Sequence, residues 1–288
     1  MNDSLLRSNL LDLLHELGND AQGILLCGGY GLYLKQLHLT QAGVRTLIGA
    51  ELWPAPRATE DLDLMLSAEL VADARSMTAL RAALDKLDYK VRKGSEYLQF
   101  VRTITGAQVV KVDLLTAQLD VIKSFPAISA DSRRARPTTA DRPQLHAHPT
   151  DGALTLTEAP LVIQITGTLS TGQAFAAPVA IPDAFSYLLM KLTAYRDRRN
   201  DPDKDMGRHH ALDVFRIVAM LTEPERDQVQ ANLRRFAADD QVRSCVGLVR
   251  LAFASATSPG VLAMREHRLW HNDPQLAVFL EAIAEIAS

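Results

Sequence analysis

ILLCGGYGLYL, residues 24–34, and RATEDLDLML, residues 57–66, decide how this chain reads. The first is an apolar run that ends in Gly28-Gly29 and restarts as a helix-like segment. Paired glycines at such a point permit a tight turn whose backbone can approach an anionic group. In the second stretch Asp61 and Asp63 flank Leu62. If Leu62, Leu64 and Leu66 point into a core, alternation along a strand sends Asp61 and Asp63 together to the opposite face. Two carboxylates on one edge can bind a divalent cation.

Working outward, apolar positions Leu5, Leu6, Leu10, Leu11, Leu13 and Leu14 recur at helical spacing over residues 4–17, with Asp3 or Ser4 as N-cap and Gly18 as stop. Residues 24–27 read as a buried strand and 30–38 as a helix. Residues 43–56 carry Gly43, Gly49, Pro54 and Pro56 and read as a loop. After the strand at 61–66, one amphipathic helix is predicted over 69–87, then strands over 89–92, 97–104 and 108–115. The last of these, QVVKVDLL, sets Asp113 among apolar residues as Asp61 and Asp63 are set, which makes it a third candidate ligand. A plain ion pair with Lys111 or Lys123 is the alternative for Asp113.

Residues 129–151 turn polar, with Arg133, Arg134 and Arg136, and read as an exposed segment: a solvated loop, or a contact for polyanions. Residues 161–168 and 173–181 alternate as a hairpin around Ser170-Thr171-Gly172. From Asp183 onward helices are predicted over 184–198, 207–221, 223–237, 241–256 and 275–287. The expectation is therefore an α+β chain, with an α/β domain built on a mixed sheet over residues 1–182 and a helical bundle over 183–288.

Composition sets the bounds. A chain of 288 residues with 47% hydrophobic content can bury a full core, and its net charge of −3 gives no global attraction for nucleic acid. Cys27 and Cys245 are too few for a disulfide framework and lack metal-site spacing, so a reducing compartment is expected. No apolar run approaches the ~18–20 residues of a membrane span, which points to the cytoplasm.

The order strand, Gly-Gly turn, helix, DxD, later Asp, then a helical half resembles the DNA polymerase β-type nucleotidyltransferase superfamily, and within it the AbiEii/MenT-type toxins. Gly28-Gly29 with Leu32 match the glycine motif, residues 57–64 match RxTxDLDL, and Asp113 in KVDLL matches the third carboxylate. Lys191 in LLMKLTAYRDR and Asp213 in HHALDVFRI resemble the later motifs. The gap from Gly29 to Asp61 is longer than the family usually shows and reads as a loop insertion.

The resemblance implies an N-terminal nucleotidyltransferase domain that moves NMP from an NTP to a hydroxyl. It implies two Mg²⁺ ions bridged by Asp61 and Asp63, with Asp113 completing the one that activates the hydroxyl. Gly28, Gly29 and Thr59 would meet the nucleotide, Lys191 would neutralise phosphate, and Asp213 would orient a basic residue. It also implies a toxin of a toxin–antitoxin or phage-defence pair, with a tRNA 3′ end as acceptor and an antitoxin protein as partner. Transfer to a protein or a small molecule such as an aminoglycoside, and a non-catalytic nucleotide-binding module, are the alternatives.

Two features of the helical half stay open. Arg196, Arg198, Arg199, Lys204 and Arg208 could hold a nucleotide or an RNA backbone, yet Asp197, Asp201, Asp203 and Asp205 interleave with them as in a self-paired loop. His209 and His210 have no partner at ligand spacing and are assigned to no metal.

Overall fold

The computed structural model describes residues 3–56, 59–106, 108–139, 143–271 and 273–286. Arg57 and Ala58 of the quoted motif lie outside them. The chain divides into two compact units: Met1–Lys35, Ala58–Thr150 and Leu154–Pro182 form one, and Gln36–Arg57, Asp151–Ala153 and Asp183–Ser288 the other.

In the first unit the elements begin with α1 (Asp3–Leu17), β1 (Ile24–Cys27), the start of α2 (Gly28–Ala42), β2 (Asp61–Leu66), α3 (Ala68–Ala72) and α4 (Ala74–Lys86). They continue with β3 (Lys90–Val91), β4 (Gln99–Thr103), β5 (Val109–Thr116), α5 (Leu119–Lys123), β6 (Ile128–Ala130), β7 (Ala135–Pro137), β8 (His148–Pro149), β9 (Leu161–Thr168) and β10 (Ala174–Ile181). The sheet runs β3-β4-β5-β2-β1-β10-β9, with β8 beside β5, and β6 and β7 form a separate ribbon. It is mixed: β2 pairs in parallel with β5 and β1 with β10, while β1 and β2 are antiparallel.

Alternation explains the central strands. In β5 the side chains of Val110, Val112, Leu114 and Thr116 are buried while Lys111 and Asp113 face the other way. In β2 Leu62 and Leu64 are fully buried, and Asp61 and Asp63 sit on the half-exposed face. Each fully buried leucine contributes about 1.5–3 kcal/mol relative to exposure, so a one-residue slip of β2 would bury the two carboxylates at the expense of that core. Helix α1 buries Leu6, Leu10, Leu13 and Leu17 and packs on β9, β10 and α4. Its Asp12 is buried but satisfied, accepting from Ser170 N at 2.9 Å and from Arg102 Nη1 at 3.0 Å.

Two expectations for this unit need correction. The single helix predicted over 69–87 is broken at Asp73, which ends α3 and caps α4 by accepting from Arg75 N at 3.0 Å and Ser76 Oγ at 2.7 Å. Asp favours the N-cap because its carboxylate satisfies N–H groups that the helix leaves open. The stretch 129–151 is not simply exposed: Ala135, Leu145 and Ala147 are fully buried, and Ala135 and Ala147 exchange both backbone hydrogen bonds. Its strands are too short to show a period, so only long-range pairing reveals them.

The second unit contains α6 (Ala184–Arg198), α7 (Arg208–Ala219), α8 (Glu223–Arg235), α9 (Asp240–Ala252), α10 (Pro259–Arg265) and α11 (Leu276–Ile286). Phe215 of α7 packs edge-on against Trp270 and at a tilt against Phe279 of α11. A full capping box at Thr222 and Glu225 starts α8. The helix α10, not expected from the sequence, begins with Pro259 in its first turn. Residues 43–56 belong to this unit and are fastened: Leu47 N donates to Leu221 O at 2.9 Å, Ile48 N to Ala219 O at 3.1 Å, and Trp53 Nε1 to Ile48 O at 2.8 Å. Among the described residues no helix is long and apolar enough to cross a membrane.

Candidate active site

The parallel pairing of β2 with β5 sets Asp61 beside Lys111 and Asp63 beside Asp113. Thr59 steadies the entry to β2, its Oγ1 accepting from Asp61 N at 3.3 Å. Lys111 Nζ lies 3.2 Å from Asp61 Oδ1 as an ion pair without hydrogen-bond alignment. Asp113 Oδ1 is buried with no hydrogen-bond partner among the described residues. On its other side Asp113 pairs with Gln99 of β4, whose Oε1 accepts from Arg92 Nη1 at 2.9 Å.

These surroundings push the Asp113 carboxyl up to about 7, first through burial and then through the charges of Asp63 and Asp61, against the opposing pull of Lys111 and Arg92. Burial and the like charges of Asp63 and Asp61 thus outweigh the two cations at Asp113.

The antiparallel pairing of β1 with β2 brings Cys27 opposite Asp63, and Cys27 Sγ donates to Asp63 O at 3.4 Å. The next residue, Gly28, has φ +67° and opens α2. A Cβ built there would lie 1.6 Å from Asp63 Oδ2, so the carboxylate occupies the space a side chain would need. The N-terminus of α2 therefore adjoins Asp63, and Gly29 continues it. A helix start offers N–H groups and the positive end of a dipole.

By donor type the residues suit a divalent cation of the Mg²⁺ class, although among the described residues the group of three whose ligand atoms all lie within 4.8 Å of one another is Asp205, His209 and His267, not these carboxylates. Hard oxygen donors on three side chains, one with an unpartnered buried oxygen and a raised pKa, form a donor set whose mutual repulsion a bound cation relieves.

Lys191 and Asp213 meet each other in the helical unit. Lys191 Nζ stands 2.9 Å from Asp213 Oδ2, and Arg216 Nη1 donates to Asp213 Oδ1 at 3.2 Å while its Nη2 reaches Gln36 Oε1 at 2.9 Å. All three charged side chains are buried. The basic run is self-paired at two points: Arg196 binds Asp197, and Arg208 binds Asp205 and Glu266.

Sequence reasoning left out Arg92 and Gln99 and treated Lys111 only as a partner for Asp113. The two-residue spacing of Lys111 and Asp113 already places both on one face, but the cross-strand register that gives Lys111 to Asp61 is not a local property. It also denied His209 a partner, whereas His209 Nδ1 lies 2.8 Å from His267 Nε2, 58 residues along the chain.

No family model and no curated protein sequence matches the chain. Among solved structures it is similar to the solution structure of the antibiotic-resistance factor ANT(2'')-Ia, at 16% identity and a TM-score of 0.40, over 84% of this chain and 98% of that one.

Proposed function

We propose that the chain is a Mg²⁺-dependent nucleotidyltransferase whose catalytic carboxylates are Asp61, Asp63 and Asp113. The observation that carries this reading is the in-register pair Asp63 and Asp113, with Asp61 on the same face, beside the Gly28 start of α2.

In this reading Asp61, Asp63 and Asp113 hold the metal, which when bound supplies charge neutralisation for the triphosphate and acidifies the acceptor hydroxyl. The acceptor oxygen attacks the α-phosphorus, the bond to the bridging oxygen breaks, and pyrophosphate leaves with the electron pair. Asp113, one of the ligands in this reading, takes the hydroxyl proton. Gly28 and Gly29 let the phosphates approach the start of α2, and Thr59 keeps Asp61 at the strand entry.

The roles of Lys191 in neutralising phosphate and of Asp213 in orienting it rest on the motif resemblance alone. So does the finer assignment: a cytoplasmic toxin that modifies a tRNA 3′ end and is held by an antitoxin protein. The test is to incubate the protein with Mg²⁺, each labelled NTP and separate acceptors: total tRNA, protein and aminoglycosides. Label on tRNA supports the toxin reading, and label on protein or a small molecule moves the acceptor. Transfer by Asp61→Ala and Asp63→Ala equal to wild type, or no transfer to any acceptor, overturns the proposal.

A further inference from the structure

We propose that Asp205, His209 and His267 form a separate cation site within the helical unit, suited to a borderline divalent metal of the Zn²⁺ class. The chain enters it through the turn Pro202–Gly207, where Asp205, Met206 and Gly207 follow one another with φ +52°, +51° and +71°. Successive left-handed residues are costly for side chains other than glycine. Here they curl Asp205 back over the first turn of α7, where His209 stands four residues on.

The carboxylate is divided between two neighbours. Its Oδ1 accepts from Arg208 Nη1 at 3.0 Å, and its Oδ2 lies 3.7 Å from His209 Nε2. From the other side comes His267, just past α10 and only 4% exposed, with Nε2 at 2.8 Å from His209 Nδ1. One ligand atom from each of the three residues lies within 4.8 Å of the others. Arg208 also binds Glu266, the residue before His267, through Nη2 at 2.8 Å and Nε at 3.0 Å, so the two ligand-bearing segments are already tied together.

Two imidazoles and a carboxylate favour Zn²⁺, Co²⁺ or Ni²⁺ over Mg²⁺, which prefers an oxygen shell. This separates the cluster chemically from Asp61, Asp63 and Asp113. The facing imidazoles also define what the metal replaces. Leu269 N donates to His267 Nδ1 at 3.1 Å, so the neutral ring carries its proton on Nε2 and directs it at His209 Nδ1. A cation bound at Nε2 sends that proton to Nδ1 and opens the Leu269 contact, exchanging two hydrogen bonds, the one to His209 Nδ1 and the one from Leu269 N, for three coordinate bonds. Zn–N bonds of about 2.0–2.1 Å at a tetrahedral angle need nitrogens roughly 3.3 Å apart, so the rings separate by about half an ångström. The product is a clip joining the 202–207 turn to the end of α10.

The test uses untagged, metal-stripped full chain titrated with Co²⁺, followed by visible absorption, with Zn²⁺ competition and Mg²⁺ as control. The site predicts one equivalent of Co²⁺, displaced by Zn²⁺ and indifferent to millimolar Mg²⁺, a Zn²⁺-dependent rise in unfolding temperature, and a shift of the Leu269 amide resonance. Because His267 is buried, His209→Gln on its half-exposed ring is the decisive variant. It should unfold like metal-free wild type and lose at least about tenfold in affinity. Absence of Co²⁺ or Zn²⁺ binding, binding undiminished in His209→Gln, or binding lost instead in the Asp61→Asn/Asp63→Asn variant overturns the assignment. None of these outcomes depends on nucleotidyl transfer.

Discussion

Asp63 occupies the place where a side chain at position 28 would begin: a Cβ on Gly28 would meet Asp63 Oδ2 at 1.6 Å. The glycine is thus a clearance for a carboxylate as well as a left-handed backbone position. Gly28→Ala must push Asp63 out of line, and misplacement by about 1 Å costs on the order of a hundredfold in rate. The left-handed strain alone costs about 1–2 kcal/mol. Gly43→Ala separates the two effects, because Gly43 has φ +62° and a methyl added there would meet nothing within 4 Å. Nucleotidyl transfer should fall steeply in Gly28→Ala and stay near wild type in Gly43→Ala, with the larger loss in urea midpoint in Gly28→Ala, where the clash adds to the strain. Equal activities would show that Asp63 is indifferent to position 28.

Asp113 gives the site a pH signature. Its carboxyl, raised to about 7 from an ordinary 3.8, keeps a proton in the folded chain over a range where the unfolded chain has lost it. The native state binds the extra proton between those values, so this residue's contribution to stability falls as pH rises through that window and levels off above about 7. Urea denaturation without divalent cation should give a higher midpoint at pH 5 than at pH 7.5, and Asp113→Asn should shrink the difference. Divalent affinity should move the opposite way, rising with pH as the carboxyl ionises. An unchanged pH slope in Asp113→Asn would remove Asp113 from the charged cluster.

Much of this architecture is legible in the chain because its strands carry their faces in their order of residues. DLDLML fixes β2 and the common side of Asp61 and Asp63, and VVKVDLLT does the same for β5 and Asp113. The α+β arrangement of a mixed sheet followed by helices follows from where those periods occur. What stays hidden is set by pairing at a distance. Lys111 meets Asp61 through strand register, His209 meets His267 across α8, α9 and α10, and Ala135 and Ala147 bury a stretch whose arginines suggest a solvated loop. The glycine at 28 signals a turn in either case, and only the fold reveals which atom needs its missing side chain.

In the helical unit, Asp213 is the shared anion of two buried cations, Lys191 and Arg216. Removing one partner of a buried ion pair costs about 3–5 kcal/mol, because the remaining charge is left in low dielectric. Asp213→Ala should therefore lower the free energy of unfolding by about that amount. Lys191→Met should cost less, since Arg216 still engages the carboxylate. If Lys191 also neutralises phosphate, Lys191→Met loses transfer activity in a protein that remains folded by circular dichroism, beyond what its stability change explains.

Lys111 Nζ lies 3.2 Å from Asp61 Oδ1, and it competes for the charge that a divalent ion would take. Lys111→Met keeps the aliphatic stem and removes the ammonium, leaving Asp61, Asp63 and Asp113 to repel one another with less compensation. Two effects follow in the same direction. The pKa of Asp113 rises further, because Lys111 is the first of the two cations that lower it. Mn²⁺ binding, followed by electron paramagnetic resonance above pH 8 where the carboxyl is ionised, tightens severalfold, as a change of about 1 kcal/mol in the field of a half-buried charge implies. Weaker Mn²⁺ binding in Lys111→Met would instead mean that the lysine holds Asp61 in its ligating position, and the ion pair would then be part of the metal site's scaffold.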